Sequence, residues 1–234
     1  MKIDVVISAD YINNAELKGR VVVVIDVLRA TSVIVTALAS GAKEIIPTLT
    51  VEEAFEKKSS LGGNVILAGE RQAKIVEGFD LSNSPLLFTK DFVDGKTVIL
   101  STTNGTKALS IASGGDEVFV ASILNVKAVA KKLLELGKDI MIVNAGTNGK
   151  LSTDDFICGG YIISEISKGT NCDLTDIAKI SKNIYENNKD VRAYIENATH
   201  YEVLKSLGLE ADIEFCCKKD IFDIVPEFKD GKLK

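Results

Sequence analysis

Asp26, Arg29, Thr31 and Ser32 follow an apolar run at 21–27 within the loop 26–32, DVLRATS. A carboxylate there can hold a hard cation, and a guanidinium can grip an anion with a forked pair of hydrogen bonds. The same residues also suit a plainer role, an Asp capping the next helix and an Arg paired with it. A second polar loop, Ser101, Thr102, Thr103, Asn104, Gly105 and Thr106, follows the run VIL and opens another helical pattern. Backbone amides, the helix dipole and hydroxyl donors together make an anion cradle, although the spacing and lysine of a nucleotide-triphosphate P-loop are absent. A third loop, 144–155, carries Gly146, Gly149, Asp154 and Asp155. Acids at a helix start are favoured by the dipole alone; a carboxylate across from Asp26 is also what an Mg2+ site needs.

The segment 69–85, GERQAKIVEGFDLSNSP, gathers Glu70, Arg71, Lys74, Glu77, Asp80, Asn83 and Ser84 around Phe79. Connections of that length within a compact domain are usually functional or disordered, and this one has no low-complexity character. Arg29 and Arg71 are two of four arginines, and both fall just beyond apolar runs, which favours an anion site over scattered solubilising charge.

The elements that must position these loops are β-branched runs alternating with helical patterns. The runs lie at 3–7, 21–27, 43–48, 65–69, 97–101, 117–121, 139–144 and 221–226. Several are apolar on both faces, as in strands covered by helices on each side, so the fold class is α/β. Thr50 with Glu53 predicts a helix over 51–61, Asn125 caps one over 126–136, and Thr199 with Glu202 opens one over 200–207; Gly62, Gly137 and Gly208 close them. The stretch 173–197 reads as polar helices forming a cover. Residues 22–54 and 98–130 repeat one order of strand, polar loop, helix, strand and helix, with Ala39-Ser40-Gly41 matching Ala112-Ser113-Gly114 and Glu44 matching Glu117. This suggests an internally duplicated strand-loop-helix unit. In open α/β sheets ligands bind beyond the carboxyl ends of strands, where these loops lie.

Composition narrows the chemistry. The 234 residues carry 28 basic and 33 acidic side chains, a net charge of -5, which argues against nucleic-acid or membrane-surface binding. One histidine, His200, excludes a multi-histidine zinc site and would have to serve any Ser-His-Asp triad. The start has no signal-peptide pattern and no apolar run reaches membrane-spanning length. Cys158, Cys172, Cys216 and Cys217 match no metal or redox spacing, which suits reduced thiols in a cytoplasmic protein. A mean hydropathy of +0.16 suggests apolar surface for a second copy, hence a homo-oligomer, a dimer.

The set VIDVLRATS at 24–32, GERQAKIVEGFDLSNSP at 69–85, STTNGT at 101–106 and AG with Asp154-Asp155 at 145–155 resembles the 2-phosphosulfolactate phosphatases. The stretch from His200 to Pro226, with Asp212, Cys216 and Asp220, is similar to that family's tail, so the resemblance covers almost the whole chain. It implies a three-layer α/β/α fold with a mixed, mostly parallel sheet. The implied activity is Mg2+-dependent hydrolysis of 2-phospho-3-sulfolactate to 3-sulfolactate and phosphate, on the archaeal route to coenzyme M. One departure is visible: Gln72-Ala73 stand where the family pattern has two glycines. Bacterial relatives without that route also exist, so the reaction type is better specified than the substrate.

On this resemblance the chain is one phosphatase domain, 1–234, divisible near residue 95 into subdomains. Asp26, Arg29, Glu70, Arg71 and Asp155 are the expected catalytic set, with Asp26, Asp155 and Glu70, helped by Asp154, holding Mg2+. Thr31, Ser32, Lys74 and Ser101 to Thr106 would bind a small substrate bearing phosphate, sulfonate and carboxylate. His200 suits a surface or capping role; alternatively it protonates the leaving alkoxide or binds the sulfonate. The other functions open are a phosphatase for another small phosphorylated hydroxy acid and a non-catalytic small-anion-binding protein. A nicotinamide enzyme ranks last, since no GxGxxG follows the first strand.

Overall fold

The computed structural model describes residues 1–234. In chain order the elements are β1 (Lys2–Val6), α1 (Asn14–Leu17), β2 (Val21–Ile25), α2 (Ala30–Ala39), β3 (Glu44–Thr48), α3 (Val51–Leu61), β4 (Val65–Arg71), β5 (Lys74–Ile75), α4 (Lys90–Val93), β6 (Thr97–Ser101) and α5 (Gly105–Ala112). There follow β7 (Glu117–Ala121), α6 (Val126–Leu136), β8 (Ile140–Asn144), α7 (Thr153–Gly169), β9 (Asp173–Leu174), α8 (Asp176–Asn187), α9 (Val191–Ile195), α10 (Thr199–Ser206), α11 (Glu210–Cys216), β10 (Phe228–Lys229) and β11 (Lys232–Leu233).

The strands divide between two sheets. One is wholly parallel, in the order β7-β2-β8-β1-β9; the other, β10-β11-β3-β6-β4-β5, is parallel through β3-β6-β4 and antiparallel toward its edges. β2 is buried along its whole length because Val21, Val23 and Ile25 enter one core while Val22 and Val24 enter another. The first core lies under α6, α7 and α8; the second holds Val33, Ile34, Ala108 and Leu109 of α2 and α5 between the two sheets. A small third core, Ile46, Ala54, Leu67, Phe79 and Ile99, packs α3 on the outer face of the mixed sheet. Each sheet is therefore the centre of an α/β/α sandwich, and the two sandwiches share the α2/α5 layer.

The repeat acquires a geometric meaning in this arrangement. β2 lies in the parallel sheet and β3 in the mixed one, whereas β6 lies in the mixed sheet and β7 in the parallel one. β2 pairs in parallel with β7, and β3 with β6, so the two units cross between the sheets in opposite senses. Ala39-Ser40 and Ala112-Ser113 occupy matching places, the last turn and C-cap of α2 and α5.

Helix α3 has the expected ends: the Thr50 hydroxyl accepts the Glu53 N–H at 3.1 Å and Glu53 Oε2 accepts the Leu49 N–H at 3.0 Å. Asn125 precedes α6 without capping it. Its Oδ1 accepts the Ser122 N–H and its Nδ2 donates to the carbonyls of Val120 and Ile224, while Asp220 Oδ1 takes the Lys127 N–H at 2.7 Å. Thr199 is the first residue of α10, and Ala198 takes the N-cap place. The run 221–226 is not a strand: it crosses the junction of β7 and α6, where the Phe222 N–H donates to Leu124 and the Val120 N–H to Pro226, whose own nitrogen can donate nothing. Within 173–197, β9 extends the parallel sheet beside β1 and α8 packs on α7.

Candidate active site

The carboxyl ends of β2, β6 and β8 open into one cleft of about 480 Å3, closed on its other sides by the β4–β5 hairpin and α10. Helices α2, α5 and α7 all begin on this cleft. Arg29, Asn104 and Ser152, the residues before them, line it and make no capping bond with their own side chains. Three helix N-termini thus turn partial positive charge toward a cleft that Asp26, Glu70, Asp154 and Asp155 also line.

Asp26 sits where β2 ends, 8% exposed. Its Oδ1 accepts the Ala30 N–H at 3.1 Å, and Thr31 fastens the turn by donating its hydroxyl and N–H to the Asp26 carbonyl. Oδ2 packs toward Gly105, where a Cβ would lie 2.8 Å from that oxygen and 2.4 Å from Ala30 Cβ. Only glycine therefore lets the start of α5 approach Asp26 this closely. Burial pushes the Asp26 carboxyl up to about 7; the carboxylates of Asp154 and Glu70 add to the rise, and the Ala30 N–H and Arg29 oppose it.

Asp155 joins two loops. Its Oδ1 accepts the Val27 N–H at 2.8 Å and its Oδ2 the Gly146 N–H at 3.1 Å. Burial, with Asp154 and Asp26 nearby, raises its carboxyl well above the usual range despite those bonds. Glu70 plays the matching part across the cleft, accepting the Thr103 N–H through Oε1 and the Ala73 N–H through Oε2, both at 2.8 Å. Asp154 is also buried and is bonded by the Ser152 hydroxyl, which in turn receives the Thr147 hydroxyl.

Several expected contacts are directed elsewhere. Arg29 lines the cleft but pairs with Asp212, and its Nη2 donates to the Ala73 carbonyl at 3.1 Å. Arg71 donates to the carbonyls of Glu70, Leu49 and Ser101 and to the Ser101 hydroxyl, so Ser101 positions the arginine rather than facing a ligand. Thr31 and Ser32 are wholly buried and bond the carbonyls of Asp26 and Val27. Thr106 exchanges capping bonds with Thr102, and Lys74 stands exposed on β5, outside the cleft, because the hairpin turns its side chain away. Thr102, Thr103, Asn104 and His200 do border the cavity.

Among the described residues no three His, Cys, Asp or Glu side chains converge as a metal cage, so Asp26, Asp155 and Glu70 do not form one together. Asp155 and Glu70 instead use each of their oxygens to hold backbone N–H groups. The structure adds Asn83, Thr147, Asn148 and Ser152 to the wall and Asp212 behind it. Asn83 and Asp212 belong to the motifs noted above, but no sequence spacing assigns them a role; Asn148 and Ser152 could be found only from the turn at Gly146–Gly149.

A sequence model of the 2-phosphosulpholactate phosphatase family matches residues 6–231. Proteins named probable 2-phosphosulfolactate phosphatase are similar throughout. That of Clostridium perfringens (strain SM101 / Type A) is 56% identical over 237 residues, covering 100% of this chain and 96% of its own. That of Clostridium botulinum (strain Eklund 17B / Type B) is 56% identical over 235 residues, covering 100% and 99%. The Clostridium acetobutylicum protein is 48% identical over 234 residues, covering both chains fully.

Proposed function

The chain belongs to the 2-phosphosulfolactate phosphatase family, and from that membership we propose that the cleft hydrolyses 2-phosphosulfolactate to sulfolactate and phosphate. The protein is then a phosphoric monoester hydrolase. The observation that carries the reading is the meeting of three helix N-termini around Asp26, a buried carboxyl raised to about 7.

The donor chemistry fits a hard divalent cation. Buried oxygen ligands crowd together, and the nearest guanidinium, Arg29, is already paired with Asp212. Mg2+ takes one or two carboxylates with waters and substrate phosphate, so the lack of a three-ligand cage is compatible with it. Asp26 and Asp154 are the residues assigned to hold it, since Glu70 and Asp155 are engaged with backbone amides. Bound there, the ion would supply neutralising charge to the phosphoryl oxygens.

The remaining steps belong to the chain. Amides at the starts of α5 and α7 orient the phosphoryl group, with the Thr102 and Thr103 loop on one side, while those of Ala30 and Thr31 at the start of α2 hold Asp26. Asp26 and Asp154, kept as carboxylates by the ion they would hold, orient the attacking water. Glu70 and Asp155 keep the loops from separating. His200 on α10 borders the cleft and is placed to exclude water or meet the departing oxygen.

No described helix is long and apolar enough to cross a membrane, and the four cysteines are unbridged, which supports a cytoplasmic setting as part of the proposal. A homodimer and a place in coenzyme M synthesis complete it. The test is phosphate release from 2-phosphosulfolactate and a panel of phospho-acids, with Mg2+ and with chelator. Turnover should require Mg2+, be highest with 2-phosphosulfolactate, and fall by at least ~100-fold in Asp26→Asn. Equal turnover in chelator removes the ion, and a better phospho-acid replaces the substrate.

A further inference from the structure

Asn83 borders the cleft at 4% exposure, and its Oδ1 accepts no hydrogen bond. Buried amides are normally satisfied, so an unpaired one on the wall of a binding cleft points to a ligand. Its neighbour fixes its location: the Ser84 hydroxyl donates to Asp212 Oδ1 at 2.6 Å, and the other oxygen of Asp212 receives Arg29. The backbone at Asn83 is therefore tied to α11 and to the loop after β2, while the carboxamide oxygen is left over.

The substrate carries anionic groups besides the one transferred. Asp26, Asp154 and Glu70 repel one another at one end of the cleft, and that end suits a cation and the phosphoryl group. The wall at Asn83 adds no uncompensated negative charge to repel a second anion, because Arg29 neutralises Asp212 behind it. The Nδ2 of Asn83 makes no hydrogen bond within the chain and, unlike Oδ1, is not sealed from the cleft, so its N–H groups are free to donate to a sulfonate oxygen. We propose that Asn83 is a specificity-determining residue whose carboxamide donates to the sulfonate of 2-phosphosulfolactate. This rests on the function proposed above and names the group that each side of the cleft reads.

Two measurements on the full chain test it. In kinetics, Asn83→Ala should lose roughly 10- to 100-fold in kcat/KM on 2-phosphosulfolactate, mainly through KM, but under about threefold on 2-phospholactate, which lacks the sulfonate. In thermal denaturation, 3-sulfolactate should stabilise the wild type and not Asn83→Ala, while inorganic phosphate stabilises both. Asn83→Asp, of the same shape but charged, should bind sulfolactate at least as poorly, which keeps the test available if the alanine variant folds badly. Equal kinetic losses on both substrates, or undiminished stabilisation of the variants by sulfolactate, overturns the assignment. A wild type that sulfolactate fails to stabilise also overturns it. If sulfolactate stabilises the wild type alone but 2-phosphosulfolactate is not hydrolysed, the Asn83 assignment stands and the proposed reaction fails.

Discussion

Arg29 and Asp212 form an ion pair across 183 residues of sequence, at 2% and 3% exposure, directly behind the cleft. Ser84 holds the other oxygen of Asp212, and the Ala73 carbonyl takes the other arm of Arg29. The pair joins α11, the β4–β5 hairpin and the loop after β2. It also occupies the guanidinium that would otherwise compensate Asp26, which leaves the buried carboxylates short of positive charge.

Removing the carboxylate from this pair strands a buried guanidinium. Asp212→Ala should cost about 3–5 kcal/mol of folding stability, seen as a lower urea midpoint. Asp212→Asn keeps an acceptor for Arg29 and should lose less.

Asp26 makes stability depend on pH in a direction opposite to that of most carboxylates. Its folded value near 7 lies above the ordinary 3.8, so its contribution is present below about pH 4 and is lost as pH rises through 7. Asp26→Asn should therefore be more stable than the wild type at pH 8, by of order 3 kcal/mol, with the gap closing toward pH 4. Mg2+ should raise the wild-type melting temperature at pH 8 and leave that of Asp26→Asn nearly unchanged.

Gly105 permits the contact between α5 and Asp26. In Gly105→Ala the new Cβ would meet Ala30 Cβ at 2.4 Å and Asp26 Oδ2 at 2.8 Å. A stability loss of roughly 1–3 kcal/mol is expected, together with a fall in kcat because the carboxylate is displaced. Calorimetry and steady-state kinetics on the same preparation separate the two effects.

Gln72 and Ala73 form the two-residue tip between paired Arg71 and Lys74, with φ of 53° and 61°. Both values lie in the left-handed region that such tips usually fill with glycine or asparagine. The tip is held there by Glu70 Oε2 on the Ala73 N–H and by Arg29 on the Ala73 carbonyl. Substituting Gly at either position should raise stability by about 0.5–1 kcal/mol, less the entropy that glycine adds to the unfolded chain, and a thermal shift would show it.

Local chemistry made much of the fold legible. The helix starting at Thr50, the glycine ends at Gly62 and Gly137 and the doubly apolar β2 are decided by neighbours in sequence, and each lies where its pattern puts it. Asn125 and the run 221–226 are different, since a distant partner decides them: Asp220 and the tail meet the β7–α6 junction and take over its hydrogen bonds. The repeat could be seen in the chain, but not that its two copies cross between sheets in opposite senses.

The site divides along the same line. Sequence alone determined that Asp26 follows a strand end and that Asp154 and Asp155, like the glycine and hydroxyl residues of 101–106, open helices, because strand ends and helix starts are local events; Glu70 lies inside β4, which runs on to Arg71 where β5 pairs with it. Tertiary structure decided which of these groups face the cavity. It turned Thr31, Ser32, Ser101 and Thr106 into braces for the loops, sent Lys74 to solvent, paired Arg29 with Asp212 and left the Asn83 oxygen without a partner. The physical reason is that a polar side chain buried on folding takes whichever donor or acceptor the packed chain brings within reach, and its position in the sequence does not specify that partner.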